Sequence, residues 1–225
     1  MTNTSTAVVD RPGRIYRAAR LLLDPLVQFL WPTRVEGFEH VARHGPGIVA
    51  ANHLSFFDSV ALTVAVRRRL GFVGKAEYLD NWKTRRLFPA LGMIPLERGG
   101  RRQALRALAE AEKVIESGEL FAIYPEGTRS RDGRLHKGHR GVGRLAVATG
   151  APVIPAGITG TDKVQPPGTR VPRPFRRIVV RFGPPIDPAD FGRSGILERR
   201  RRITDAVMSA IQGLTGQELA TAPSM

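Results

Sequence analysis

The chain has 225 residues and no cysteine, and its 35 Lys and Arg against 20 Asp and Glu give a formal net charge of +15. That length accommodates one sizeable core in a single domain, and the lack of cysteine excludes disulfides, thiolate metal sites and a cysteine nucleophile. The positive balance favours phosphate-bearing partners such as nucleic acid, anionic lipid or nucleotide-like cofactors, without choosing among them.

Residues 1–13 read as a flexible tail, since Met1 to Asp10 are small, polar and Thr-rich, and they are not followed by a signal-peptide pattern. Residues 14–32 read as an amphipathic helix. At about 100° per residue, Arg14, Arg17, Arg20, Asp24 and Gln28 fall on one narrow stripe, while most other positions up to Trp31 are apolar. Asp24 and Pro25 interrupt the run, which falls short of the ~20 apolar residues of a spanning helix. Basic residues at one end, a broad apolar surface and a terminal Trp suit a helix lying on a membrane surface. The alternative is an ordinary helix covering the core.

Residues 33–215 read as one domain. Ile48-Val49-Ala50-Ala51 is a short apolar run bounded by Gly47 and Asn52, the pattern of a buried parallel strand. It runs into Asn52-His53-Leu54-Ser55-Phe56-Phe57-Asp58. Residues five apart in an ideal helix sit about 140° around the axis from one another, so contact between His53 and Asp58 requires a loop flowing into a helix. Ser55 and Asp58 also match a Ser-x-x-Asp helix start, in which Asp58 satisfies backbone N–H groups. One carboxylate has lone pairs enough for both roles.

Further along, Val60 to Val66 continues as a helix, and Leu70 to Gly74 is a second strand ending at Lys75. A loop or short helix around Trp82 to Phe88 leads to a third strand, Met93 to Leu96, followed by Glu97 and Arg98. Leu105, Leu108, Ala111 and Ile115 have helical spacing, and Gly118 sits where a left-handed C-cap belongs. Leu120 to Tyr124 is a fourth strand ending at Pro125-Glu126-Gly127-Thr128-Arg129-Ser130. A short helix through Thr149, a strand from Val153 to Ile158, a Pro-rich surface excursion, a last strand from Ile178 to Phe182 and a helix from Ile196 to Leu214 complete the domain. Residues 216–225 read as a second flexible tail. His40, His44, His136 and His139 read as loop residues, and Arg199 to Arg202 as a solvated helix face. Strands alternating with helices predict an α/β fold with a largely parallel or mixed sheet flanked by helices.

Four strand ends thus carry His53 with Asp58, Lys75, Arg98, and Glu126 with Arg129. Ligands of open α/β sheets bind at the carboxyl ends of strands, so these groups are expected to converge. A base, a carboxylate and several cations in one place suit deprotonation of a hydroxyl near a phosphate. Asn52 to Asp58 resembles the NHxSxxD block of the glycerolipid acyltransferase family. Ile94-Pro95-Leu96-Glu97-Arg98, Tyr124 to Ser130 (the PEGTR block) and Val153-Ile154-Pro155 are similar to its later blocks, in the same order. Tyr124 stands where phenylalanine is usual and Glu97 where aspartate is commoner.

The resemblance implies that His53 is a general base and Asp58 its partner, with no metal and no tightly bound cofactor. It places Asn52, Arg98, Glu126, Gly127, Thr128 and Arg129 at the substrate, and Lys75, at its own strand end, would add a point charge there. The arginines would hold the acceptor phosphate, Glu126 the glycerol hydroxyl or Arg129, and Gly127 and Thr128 would offer backbone N–H groups. The implied reaction moves an acyl group from acyl-CoA or acyl-carrier protein to a lysophospholipid, lysophosphatidate foremost. Glycerol-3-phosphate, another lysophospholipid or a glycolipid are alternative acceptors, and water would make the chain a hydrolase. The expected setting is the cytoplasmic face of the cell membrane, with peripheral or monotopic attachment to anionic lipid. From a different class, a basic nucleic-acid- or lipid-binding module is the alternative; a nucleic-acid partner is not expected, since aromatics make up 7% of the chain and no recognised binding motif occurs.

Overall fold

Strand β2, Gly47–Ala51, is buried along its whole length, which is why its sequence runs apolar instead of alternating: both faces of the sheet are covered there. The computed structural model describes residues 14–79, 91–96, 100–169, 171–192 and 195–220, with isolated positions 85 and 89. The tail at 1–13, most of the segment around Trp82 to Phe88, Glu97, Arg98 and the side chain of Lys75 lie outside the described residues.

Seven strands form one mixed sheet in the order β1-β7-β6-β2-β5-β3-β4. The other strands are β1 (Thr33–Glu36), β3 (Leu70–Lys75), β4 (Met93–Leu96), β5 (Leu120–Ile123), β6 (Val153–Thr159) and β7 (Ile178–Phe182). Strands β2 to β6 run parallel to their neighbours, whereas β7 is antiparallel to β6 and parallel to β1. The side-chain period of two splits β2 between two cores. Val49 and Ala51 join Ile154, Ala156 and Ile158 under Ala61 and Leu62 of helix α2, Phe57–Ala65. Ile48 and Ala50 face α3 (Gly100–Glu116), α4 (Gly141–Thr149) and α6 (Ile196–Thr215) through Ala111, Ile115, Val142, Leu145, Ile203, Val207 and Ile211. A one-turn helix α5, Thr161–Val164, follows β6.

Several expectations are corrected. Strand β1 is absent from the sequence reading because it is a four-residue edge strand with Arg34 and Glu36 alternating outward, too short to show a period. Helix α2 begins at Phe57, where the Ser55 and Asp58 start signal places it, and it ends at Ala65, one residue before the expected Val66. On α3, Leu105 is exposed, whereas Leu108, Ala111, Val114 and Ile115 carry the packed face. Residues 217–220, expected in a loose tail, are tied down. Leu219 bridges Leu135, the Leu135 N–H donates to Glu218 O at 2.9 Å, and Gln217 Nε2 donates to Gly133 O at 2.7 Å.

Helix α1, Arg14–Leu30, is tied to the domain through Tyr16, Arg20 and Gln28. Tyr16 OH donates to Arg68 O at 3.0 Å, and Arg20 donates to Val66 O at 2.8 Å while pairing with Asp24 at 2.7 Å. Gln28 exchanges two hydrogen bonds with the backbone of Thr33. The apolar side faces out: Leu21, Leu26 and Phe29 are 77%, 51% and 69% exposed. That inverts the usual orientation of an amphipathic helix on a globular protein. No described helix is long and apolar enough to cross a membrane.

Candidate active site

The chain leaves β2 at Asn52 and turns before α2, and this junction sets the central pair. His53 Nδ1 lies 2.8 Å from Asp58 Oδ2. The same oxygen accepts the N–H groups of Leu54 at 2.6 Å and Ser55 at 2.8 Å. Asp58 is fully buried, so its orientation is fixed by three donors and by packing. Because Oδ2 serves as acceptor to two backbone amides, it accepts from the ring as well; the proton therefore sits on Nδ1 and leaves Nε2 with a free lone pair. Asp58 thus both accepts the backbone N–H groups at the helix start and lies within hydrogen-bond distance of the His53 ring. Tyr124, at the end of β5, stacks on the imidazole with centroids 4.0 Å apart and planes 12° from parallel. Its hydroxyl bonds Ser59 Oγ on α2 at 2.8 Å, and burial, aided by the charge of Asp58, pushes its pKa well above that of a free phenol. The ring is thus clamped edge-on by Asp58 and face-on by Tyr124.

Beside His53 opens a cavity of about 800 Å³. His53, Tyr124, Gly127, Arg129 and His139 line its polar end; Phe72, Met93, Leu96, Leu108, Phe121 and Ile123 line its apolar extension under α3. Gly100, Gln103, Ala104, Ala107 and Leu108 are the α3 residues facing it, positions three or four apart that share one helix face. Alanines on that face leave the space open. Arg129 is exposed and makes no hydrogen bond or ion pair among the described residues, so its guanidinium is available to an anion. Among the described residues, no group of three His, Asp or Glu side chains is disposed to hold a metal ion.

The family model described as acyltransferase matches residues 32–159, more than half of the chain. This chain belongs to the acyltransferase family. A 1-acyl-sn-glycerol-3-phosphate acyltransferase of Limnanthes douglasii is 34% identical over 168 residues, covering 71% of this chain and 56% of its own length. The chloroplastic 1-acyl-sn-glycerol-3-phosphate acyltransferase of Brassica napus is 29% identical over 140 residues, covering 62% and 40%. This chain therefore spans about half the length of the curated relatives it matches. The crystal structure of the 1-acyl-sn-glycerophosphate acyltransferase PlsC from Thermotoga maritima superposes with a TM-score of 0.67 at 28% identity, covering 89% of this chain and 78% of that one.

In this acyltransferase fold not every residue expected at the substrate faces the cavity. Asn52 is fully buried. Its amide exchanges two hydrogen bonds with the backbone of Ile158, at 2.9 and 2.8 Å, and donates to Gln217 at 2.9 Å; it ties the end of β2 to β6 and to the C-terminal segment. Glu126 is 1% exposed. Its Oε1 accepts from the His53 N–H at 2.9 Å and its Oε2 from the His136 N–H at 3.0 Å, so it holds no Arg129 and has no lone carboxylate oxygen turned to a glycerol hydroxyl. Burial raises its pKa against the pull of those two donors. The Gly127 N–H is engaged by Tyr124 O at 3.0 Å, and Thr128 is exposed outside the cavity lining. Tyr124, Ser59 and His139 line the cavity without having been expected there. Tyr124 had a signal in its departure from the family pattern; His139 had none, since its place depends on the turn in which its N–H donates to Pro125 O at 2.8 Å.

Proposed function

We propose that the protein transfers a fatty acyl group from an acyl thioester to the free hydroxyl of lysophosphatidate, giving phosphatidate, by direct general-base attack at a membrane surface. The observation that carries this reading is an imidazole with Nδ1 locked on a buried carboxylate and opening onto the cavity that also receives Arg129. In the reaction, His53 Nε2 takes the proton of the acceptor hydroxyl as that oxygen bonds to the thioester carbonyl carbon, and Asp58 stabilises the imidazolium. Collapse of the tetrahedral intermediate breaks the C–S bond, and the thiolate leaves with the proton from His53. A free thiol has a pKa of about 8.5, so the leaving group needs little acid assistance. Direct attack needs no nucleophilic side chain and forms no covalent acyl-enzyme. Arg129, with Arg98 and Lys75 as further candidates, would hold the acceptor phosphate by charge-assisted hydrogen bonds.

The apolar extension of the cavity suits an acyl chain, and the outward apolar side of α1 suits attachment to the bilayer in which the acceptor resides. Acyl-CoA and acyl-carrier protein both present the required thioester. The relatives named for 1-acyl-sn-glycerol-3-phosphate acylation support the choice of lysophosphatidate. The test incubates purified protein with acyl-CoA and lysophosphatidate and follows free thiol and phosphatidate together. Equal rates of the two are expected, and both are lost in His53→Ala. Thiol release without any acceptor would make the chain a hydrolase, and undiminished turnover in the variant would remove His53 as the base.

A further inference from the structure

The segment leading into β7, Val171-Pro172-Arg173-Pro174-Phe175-Arg176-Arg177, joins the exposed face of α1 in one surface. Val171 and Phe175 are 76% and 66% exposed, and Phe175 meets Phe29 edge-to-face with ring centroids 6.0 Å apart. Arg173, Arg176 and Arg177 are exposed between and beside them. This is not a slack loop. The Arg173 N–H donates to Val164 O at 2.7 Å, Trp31 Nε1 donates to Arg173 O at 2.9 Å, and the Phe175 N–H donates to Leu30 O at 2.6 Å. Pro172 and Pro174 fix two further φ angles. Phe175 has φ 58 and is the single described non-glycine residue with positive φ, a conformation that L-residues with bulky side chains rarely adopt. Three backbone tethers and a left-handed turn thus hold a phenylalanine ring in water, where an apolar side chain is least favourable.

The sheet topology says where this surface lies. Because β7 is antiparallel to β6, with Val179 opposite Thr159, the residues before Ile178 stand at the carboxyl edge of β6. His53 follows β2 at that same edge, since β2 and β6 are parallel. The end of α1 is there too: Thr33 is paired with Ile178, and Trp31 packs on Phe57 with centroids 4.8 Å apart.

We propose that residues 171–177 form a second membrane foot, in which Val171 and Phe175 enter the headgroup region beside Phe29 while Arg173, Arg176 and Arg177 pair with anionic lipid phosphates, setting the carboxyl edge of the sheet against the bilayer. Alternating apolar and basic side chains on a rigid support match an anionic interface in both hydrophobicity and charge. Adding the loop to the helix face widens the contact and fixes the tilt of the molecule as one helix alone cannot. The inference rests on the reading of α1 as membrane-attached.

The test measures co-sedimentation of the full chain with vesicles of equal parts phosphatidylcholine and phosphatidylglycerol. Phe175→Asn keeps the left-handed backbone, which Asn tolerates, and removes the ring; Val171→Ser is a second, conformationally neutral variant. Phe29→Ser reports on α1. Each loop variant is expected to lower the partition coefficient by roughly tenfold, the ratio for losing much of one large apolar side chain from an interface. Acylation of a water-soluble, short-chain lysophosphatidate should change less than about twofold. Wild-type partitioning of both loop variants, with Phe29→Ser impaired, overturns the second foot and leaves α1 attached. Failure of the unmodified chain to bind vesicles overturns both. Conversion of a dimer to a monomer by Phe175→Asn at unchanged partitioning would mean that a second copy covers the surface, and also overturns the proposal.

Discussion

At the residue scale, all of the hydrogen bonds to Asp58 converge on Oδ2, while Oδ1 is buried with no partner. Asp58→Asn can therefore keep one oxygen in the same place and remove only the charge. Turnover is expected to fall about 10²–10⁴-fold, the usual worth of acid–base assistance, while the thermal midpoint moves little; single-turnover rates and a melt on the same sample check both. Arg129→Ala should raise the KM for the phosphate-bearing acceptor by roughly 10–100-fold, the equivalent of one charge-assisted hydrogen bond or two, with kcat preserved. Steady-state kinetics with varied lysophosphatidate decides this. Glu126 titrates above the ordinary glutamate range because it is buried. In the pH window between that range and its native value, the folded state binds more protons than the unfolded one. Its contribution to stability thus declines as pH rises through the window and is level above it. Glu126→Gln should flatten this slope, as read from the difference in Tm between the two proteins from about pH 4 to 8. The His53–Asp58 pair was legible because its partners lie five residues apart in a strand-loop-helix context that local pattern defines. Glu126 was legible as a conspicuous residue but not in its role, since its partner on the dyad loop is 73 residues away.

At the element scale, two contacts hold the layers around the dyad. A Cβ at Gly143 would strike the carbonyl of Arg200, so α4 and α6 approach backbone to backbone there. Gly143→Ala should destabilise the fold by about 1–3 kcal/mol through overpacking, seen as a lowered denaturant midpoint with an unchanged m-value. Asn52 bridges β2, β6 and the segment after α6; its removal strands buried backbone groups at about 1–3 kcal/mol each, a loss of stability and not a selective loss of acceptor affinity. Helices and central strands were legible from their periods and caps. The four residues of β1 were not, since so short a strand, with two charged residues in four, shows no readable period. The anchored segment 217–220 was not legible either: its partners at Gly133 and Leu135 lie about eighty residues earlier in the chain, and Gln217 Nε2 reaches Gly133 O across a separation of 84.

At the scale of the whole molecule, the proposed membrane attachment would draw on both the +15 net charge and the outward apolar residues of α1. Binding to anionic vesicles should weaken as salt rises from 0.1 to 1 M, because the Debye length shrinks from about 10 to 3 Å. A residual, salt-insensitive fraction should remain from the apolar contacts, as sedimentation across a salt series would reveal. By itself the sequence determined what local chemistry controls: the α/β alternation, the loop-to-helix junction that joins His53 to Asp58, and the order of the family blocks. Only the tertiary structure decided the strand order, the inward turn of Arg20 on α1 and the common edge at which α1, residues 171–177 and the His53–Asp58 pair meet. The reason is that periodicity reveals which side of an element is apolar, while the choice of what covers that side is a long-range packing decision, made among backbone carbonyls such as Val66 O and Leu30 O that leave no trace in side-chain pattern.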